Sequence, residues 1–164
     1  MNTLPQDQLL PFIESFQSVV LSTLSKDLEP LASYAPCVFL DNHIYVIISE
    51  AAPHYHNIKS SLKAGLLFVE DEKDAKSIFF RKRLSMNANA TFIDPSTMHE
   101  VFKKTHGDLV DMLLGKLDFS IVKFNVTSGT FVIGAGQAYK MNDKFELVDQ
   151  DRGAKDKGHS KCKK

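Results

Sequence analysis

Alternation of apolar and polar residues indicates that most of the chain is β-strand. Over residues 84–92 every second residue is apolar and those between are Ser, Asn or Thr, the pattern of a half-buried antiparallel strand. Residues 44–48 are all β-branched or aromatic, which also favours a strand. Seven strands are predicted in all, over residues 18–24, 31–39, 44–48, 65–69, 84–93, 118–126 and 129–139.

Helical periodicity is confined to short segments. Apolar residues at mixed three- and four-residue spacings predict a helix over residues 6–16, and residues 51–62 are expected to be a loop leading into a short helix. The stretch 97–114 is also helical in pattern, and Gly107 is expected to divide it into two helices.

The order of the elements predicts the fold class. Residues 118–126 and 129–139 are expected to form a hairpin with its turn at Thr127 and Ser128. Because the strands are mostly sequential and helices are few, the pattern favours an antiparallel β-barrel with peripheral helices, mainly β, in one domain over residues 1–150.

Composition separates the last fourteen residues, 151–164, from the rest. The whole chain has 20 basic and 20 acidic residues and no formal net charge. Six basic and two acidic residues lie in this basic tail, so residues 1–150 carry a net charge of −4. A mildly acidic body argues against a general nucleic-acid-binding protein.

Several other classes of protein are also disfavoured. The sequence has no apolar run of about eighteen residues, so no membrane span is expected. Its first residues lack the basic and apolar regions of a signal peptide. Two cysteines, Cys37 and Cys162, suggest neither a disulfide framework nor a zinc site, and a reducing cytoplasm is the simplest compartment.

The basic tail is too polar to bury much surface, and its composition predicts a solvated segment. It contains His159, which is either an incidental histidine or a metal ligand within a cationic segment suited to a metal-containing anion.

Three further features could bind ligands. Arg81, Lys82 and Arg83 begin a strand, where they either bind a phosphate or carboxylate or serve as solvated charges. His54 is expected to be a loop histidine with a backbone partner, or half of a metal-binding pair with His56.

Asp118 is expected to be a cap or turn residue unless it faces a histidine, whose tautomer it would then fix.

Several segments, in order along nearly the whole chain, resemble bacterial haem-iron utilisation proteins of the HugZ/HutZ type. These proteins belong to the pyridoxamine-phosphate-oxidase-like, FMN-binding split-barrel superfamily. The segments are SYAP (33–36), the loop containing His54, VEDEKDAKSIFFRKRL (69–84), LDF (117–119), GTFVIGAGQAY (129–139) and GHSK (158–161).

The resemblance implies a six- or seven-stranded antiparallel split barrel that forms an intertwined homodimer. It implies haem at the dimer interface, where the superfamily often holds FMN. His159 matches the axial iron ligand, and Asp118 matches the aspartate that hydrogen-bonds that ligand from the opposite subunit. The basic segment 81–83, Arg83 above all, and the histidine His54 match residues of the haem pocket.

Three hypotheses follow from the resemblance. In the first, the protein is an enzyme that opens haem with O₂ and an external electron donor, releasing a biliverdin-type product, CO and iron. In the second, it stores or delivers haem without turnover. In the third, it is an FMN-dependent oxidoreductase in which Arg81 and Arg83 contact the flavin phosphate and His159 has no role.

Overall fold

The computed structural model describes residues 4–150 and contains eight strands and four α-helices within that range. The helices are α1 (Pro5–Glu14), α2 (Pro53–Ser61), α3 (His99–His106) and α4 (Leu109–Gly115). The strands are β1 (Ser18–Leu24), β2 (Pro30–Leu40), β3 (His43–Ser49), β4 (Lys63–Val69), β5 (Arg83–Ile93), β6 (Phe119–Gly134), β7 (Gln137–Met141) and β8 (Leu147–Gln150).

Six strands close into an antiparallel barrel, as predicted. The sheet runs in the order β3-β2-β1-β4-β5-β6-β7-β8, and an additional pairing between β3 and β6 closes it. That pairing runs from Ile44 opposite Phe124 to Ser49 opposite Phe119. The second half of β6 remains paired with β5, and on its other edge it pairs with β7 instead of β3, so β7 and β8 extend the sheet beyond the closed part.

The predicted hairpin turn at Thr127 and Ser128 is wrong, because β6 runs through both residues without interruption. The polar pair lies at a β-bulge: Asn87 is opposite Ser128 and Ala88 is opposite Val126, which leaves Thr127 without a directly opposed residue. The Thr127 hydroxyl donates to the Asn87 carbonyl oxygen at 3.1 Å. Polar residues here therefore mark a bend in one strand rather than its end.

The reversal lies instead after Gly134. Ala135 and Gly136 connect β6 to β7, and Gly136 has a φ of +66°, a conformation that favours glycine. The following strand, β8, was not predicted, because its four residues in the polar stretch before the basic tail show little alternation.

The core fills the barrel and explains the position of the N-terminal helix. Phe68, Phe124 and Phe131 are at most 1% exposed, and Leu9 and Ile13 of α1 are buried in the same cluster. These two residues are the apolar face of a short helix that packs against the barrel core.

A second apolar cluster lies between the barrel and helices α3 and α4. It includes Val38 and Ile47 from the sheet and Phe102 and Val110 from the helices. The predicted division at Gly107 is confirmed: this residue has a φ of +83° and separates α3 from α4. None of the helices within residues 4–150 is long and apolar enough to span a bilayer.

Candidate functional site

The guanidinium of Arg81 forms hydrogen bonds within the loop between β4 and β5. Its Nε donates to the Glu70 carbonyl oxygen at 3.0 Å, and its Nη2 donates to the same oxygen. Its Nη1 donates to Glu72 Oε1 at 3.3 Å. Because these acceptors already occupy its guanidinium, Arg81 stabilises the loop and has few donors left for a ligand.

Lys82 lies against the N-terminal helix. Its ammonium donates to Gln8 Oε1 at 3.1 Å and lies 5.9 Å from the centre of the Phe12 ring. Its backbone N–H donates to the Glu70 carboxylate. The interactions of Lys82 therefore join α1 to the start of β5.

Arg83 has donors to spare. It is half-buried, and among residues 4–150 its guanidinium makes one hydrogen bond, from Nη1 to the Arg81 carbonyl oxygen at 3.1 Å. A guanidinium has five N–H donors in a fork that matches a carboxylate. Of the three cations in segment 81–83, Arg83 is thus the best placed to bind an anionic ligand.

His54 and His56 lie in helix α2, not in a loop. The imidazole of His54 contacts the Ser33 hydroxyl, with 3.0 Å between Nδ1 and Oγ, whereas His56 is exposed to solvent. His54 therefore has a side-chain partner rather than the backbone partner expected, and the two histidines do not form a metal-binding pair. Within the described range, no group of three His, Cys, Asp or Glu side chains could hold a metal ion.

The second ring nitrogen of His54 is unusual. Nε2 is buried and has no hydrogen-bond partner among residues 4–150. Burial lowers the pKa of His54, because a charged imidazolium loses its solvation there. Burial therefore favours the neutral form of the His54 imidazole.

Asp118 immediately precedes β6 and is exposed. Its backbone carbonyl oxygen accepts a hydrogen bond from the Glu50 N–H at 2.9 Å. No ion pair or hydrogen bond engages its carboxylate within the described residues. The side chain is consequently available to a group outside that range.

His159 lies outside the described residues, but the point where its segment begins is defined. Gln150, the last residue of β8, lies opposite Tyr139 of β7. The neighbour of Tyr139 in β7, Ala138, lies opposite Val132 of β6, and Val132 lies opposite Arg83 of β5. β8 is three strands from β5, about 14 Å. His159 is nine positions after Gln150, a stretch that spans at most about 32 Å, so the chain is long enough for His159 to reach the vicinity of Arg83.

Asp118 lies at the other end of β6. Gln150 is level with Phe131, thirteen residues from Asp118. The path along the strand is about 43 Å. Within one chain, Gln150, the last described residue before the basic tail, lies about 14 Å from the strand that carries Arg83, whereas Asp118 is thirteen residues away along β6.

A cleft lies where α1, the loop between β4 and β5 and the turn between β6 and β7 meet, and its one aromatic lining residue, Phe80, was not among the predicted site residues. The cleft has a volume of about 460 Å³ and is lined by residues including Gln8, Phe80, Lys82, Ile133 and Gln137. Phe80 belongs to a short 3-10 helix, Ile78–Phe80, in which all three side chains are exposed. Three successive large apolar residues in a charged loop were the available sequence signal.

Comparison of the sequence with known proteins gives two matches over most of the chain. The sequence profile of the family described as pyridoxamine 5′-phosphate oxidase matches residues 5–132. The chain is also 32% identical over 157 residues to heme oxygenase HutZ of Vibrio cholerae, a match that covers 88% of this chain and 86% of that protein.

Two solved structures are similar in both fold and sequence. ChuZ of Campylobacter jejuni has a TM-score of 0.81 and 32% identity, covering 94% of this chain and 67% of its own. HutZ of Vibrio cholerae, described there as a heme storage protein, has a TM-score of 0.68 and 26% identity, covering 71% of this chain and 86% of its own.

Proposed function

Because the chain belongs to the HugZ/HutZ type within the pyridoxamine 5′-phosphate oxidase family, we propose that it binds haem and opens the ring with O₂ and electrons from an external reductant. The observation that carries this function is the position of Arg83. Its unused donors lie at the end of the sheet from which the segment with His159 begins.

Haem suits this part of the molecule in charge and in shape. Its two propionates require cationic partners, and the Arg83 guanidinium can bind one of them through two parallel hydrogen bonds. The basic tail supplies six further cations for the same purpose. The apolar macrocycle requires an apolar surface, which the exposed Ile78–Phe80 segment can supply.

His159 is the proposed axial ligand of the iron, and Asp118 is its proposed hydrogen-bond partner. A carboxylate that accepts the second imidazole N–H fixes the ring orientation and increases electron donation to the metal. The opposite side of the iron then remains free for O₂. His54, half-buried near the start of α2, is proposed to line the pocket without holding the iron.

The carboxylate that accepts this hydrogen bond is proposed to belong to Asp118 of the partner subunit. This placement follows from the resemblance, which implies an aspartate contributed by the opposite subunit. The outer face of the barrel supports association: Tyr34 on β2 is 69% exposed and lies directly opposite Val20 on β1, which is 37% exposed. Exposed apolar side chains on a sheet face are typical of an interface.

The reaction consumes O₂ and electrons and breaks two bonds of the macrocycle. One bridging carbon leaves as CO, and the two ring carbons that flanked it become carbonyl groups. Oxygen atoms for CO and for both carbonyl groups come from O₂, and the remaining oxygen leaves as water with electrons and protons from the reductant and solvent. The iron is then released from the open product. The haem supplies the reactivity, and this chain holds and orients it.

Haem storage or delivery is the second candidate, supported by the description of one structural relative as a heme storage protein. It uses the same binding residues and differs only in turnover. An FMN-dependent oxidoreductase is the third, supported by the family described as pyridoxamine 5′-phosphate oxidase. A yellow protein that shows flavin absorption and no response to hemin would favour this third candidate.

Aerobic turnover distinguishes the first two candidates. Purified protein loaded with hemin is given ascorbate in air, and the absorption spectrum is followed over time. We expect the Soret band to disappear while a biliverdin-type band and CO appear. A stable Soret band under these conditions would exclude the enzyme hypothesis and favour haem storage. Omission of the reductant is the matched control and should preserve the bound haem.

A further inference from the structure

The backbone of Asp118 is held from two sides at the start of β6. The Phe119 N–H donates to the Leu117 carbonyl oxygen at 3.0 Å, which closes a three-residue turn with Asp118 at its centre. The Glu50 N–H donates to the Asp118 carbonyl oxygen at 2.9 Å. Asp118 therefore combines a fixed backbone with an exposed carboxylate that has no hydrogen bond or ion pair among residues 4–150.

The side chain of Glu50 makes a second connection to the same strand. Its Oε1 accepts a hydrogen bond from the Ser120 hydroxyl, with 2.6 Å between the two oxygens. Both side chains are half-buried, and a hydroxyl that donates to a carboxylate at this distance forms a strong, charge-assisted hydrogen bond. We call this hydrogen bond the Glu50–Ser120 clip. Glu50 thus holds β6 on both sides of Phe119, through its backbone and through its carboxylate.

The strand register explains how Glu50 reaches both positions. Ile48 lies opposite Ser120 and Ser49 lies opposite Phe119, so continuing the register places Glu50 beside Asp118. A long side chain in an antiparallel pair also reaches the residue diagonally across, which for Glu50 is Ser120. The β3–β6 pairing that closes the barrel ends at Ser49, and the ends of paired strands open more readily than their centres. The clip therefore lies where it opposes this opening.

We infer that Glu50 is a positioning residue for Asp118. The Glu50–Ser120 clip keeps the end of the β3–β6 pairing closed, and so holds the Asp118 carboxylate where it can accept the imidazole N–H of the proposed iron ligand. A hydrogen bond weakens steeply when its distance or angle changes, so opening of the strand end weakens this one although Asp118 itself is intact. This inference rests on the proposed haem binding and deepens it, because it assigns a role to two residues outside the proposed ligand set.

Hemin titration of the 164-residue chain, followed by Soret absorption, tests this role. We expect Glu50→Ala and Ser120→Ala each to weaken hemin binding roughly three- to tenfold. Glu50→Gln keeps an acceptor and Ser120→Thr keeps a hydroxyl, so both should bind hemin like the wild type. Glu29→Ala is the matched control, since Glu29 is an exposed glutamate directly before another strand, β2. Ser120→Ala removes only a hydroxyl and carries the test by itself if Glu50→Ala does not fold.

Two further measurements separate positioning from a purely structural role. If Glu50 acts through Asp118, Glu50→Ala should weaken hemin binding no further in a chain that already carries Asp118→Ala. In the haem-free protein, Ser120→Ala should accelerate hydrogen exchange of the Glu50 amide at least threefold, because the strand end then opens more often. Glu29→Ala should leave that exchange rate unchanged.

Each failure identifies the claim that is wrong. If Glu50→Ala and Ser120→Ala bind hemin like the wild type, or if the effect of Glu50→Ala adds in full to that of Asp118→Ala, positioning is wrong and haem binding stands. Unchanged exchange of the Glu50 amide in Ser120→Ala would also overturn the inference. If Asp118→Ala binds hemin like the wild type, the roles of Asp118 and Glu50 fail together. If the wild type binds no hemin, the proposed function fails as well.

Discussion

His54 and Ser33 join helix α2 to strand β2, with 3.0 Å between the imidazole Nδ1 and the hydroxyl oxygen. The other ring nitrogen is buried and has no partner within residues 4–150. Burial lowers the pKa of His54, so the folded protein binds a proton there less readily than the unfolded chain, whose histidine pKa is about 6.5.

Stability should consequently depend on pH through His54. The contribution of neutral His54 to the unfolding free energy is fully present above a pH of about 6.5. It is lost as the pH falls through the lower pKa that His54 has in the folded state. We predict that His54→Gln flattens the decrease in unfolding free energy between neutral and acidic pH, as measured by urea denaturation at several pH values. His56→Gln, on the exposed side of the same helix, should keep the wild-type dependence. Parallel curves for the wild type and His54→Gln would contradict the prediction.

Gly129 is required by the close packing of β6 against its neighbours. A Cβ atom there would lie 2.9 Å from the Ser85 carbonyl oxygen and 2.9 Å from the Met141 methyl group. Because the carbonyl belongs to a paired strand, it cannot easily move, and we predict that Gly129→Ala lowers the unfolding free energy by about 1–3 kcal/mol.

Urea denaturation of Gly129→Ala and Gly115→Ala measures this directly. Gly115 ends α4, and no neighbouring atom lies within 4 Å of a Cβ placed there. Its replacement should therefore leave stability unchanged or raise it by up to about 1 kcal/mol. Equal losses in both variants would show that close packing is not the cause.

Substitution of Arg81 should lower stability, whereas substitution of Arg83 should weaken ligand binding. Arg81→Gln removes donors to Glu70 and Glu72 in the loop, and we predict a loss of about 1–2 kcal/mol in unfolding free energy. Arg83→Gln removes only a bond to the Arg81 carbonyl oxygen, so stability should change little while hemin affinity falls roughly tenfold. Denaturation and hemin titration of both variants test this. Unchanged hemin affinity in Arg83→Gln would contradict its role.

The sequence predicted those elements whose signal is local. Alternation over 84–93 gave β5 almost to the residue, and Gly107 separated two helices, because periodicity and backbone freedom are properties of the segment itself. The hairpin at Thr127 and Ser128 was wrong for the opposite reason. A bulge depends on which residues lie across the strand, and Asn87 is forty residues away in the chain.

The candidate site was predictable as residue types but not as a set of partners. A run of three cations was evident at 81–83, yet only the structure distinguishes Arg81, held by Glu70 and Glu72, from Arg83, which retains free donors. The relation of Arg83 to the start of the basic tail depends on the register of four strands, which no local pattern contains.

A mixed dimer tests whether Asp118 acts across subunits. Asp118→Ala and His159→Ala chains are co-expressed with different tags, and haem coordination is measured by absorption. If Asp118 acts on its partner's histidine, each mixed dimer regains one intact site, and about a quarter of all sites recover the wild-type spectrum after random pairing. If it acts within its own chain, no site recovers. The double variant mixed with wild-type chains controls for exchange between subunits.

The most direct measurement is the absorption spectrum of the purified 164-residue chain during titration with hemin, compared with that of His159→Ala. We predict a Soret band that saturates in the wild type and is strongly weakened in His159→Ala, because the proposed iron ligand is then absent. The exposed histidine variant His56→Ala should match the wild type. A wild-type protein without a Soret response, or a His159→Ala variant with an unchanged one, would contradict His159-ligated haem binding.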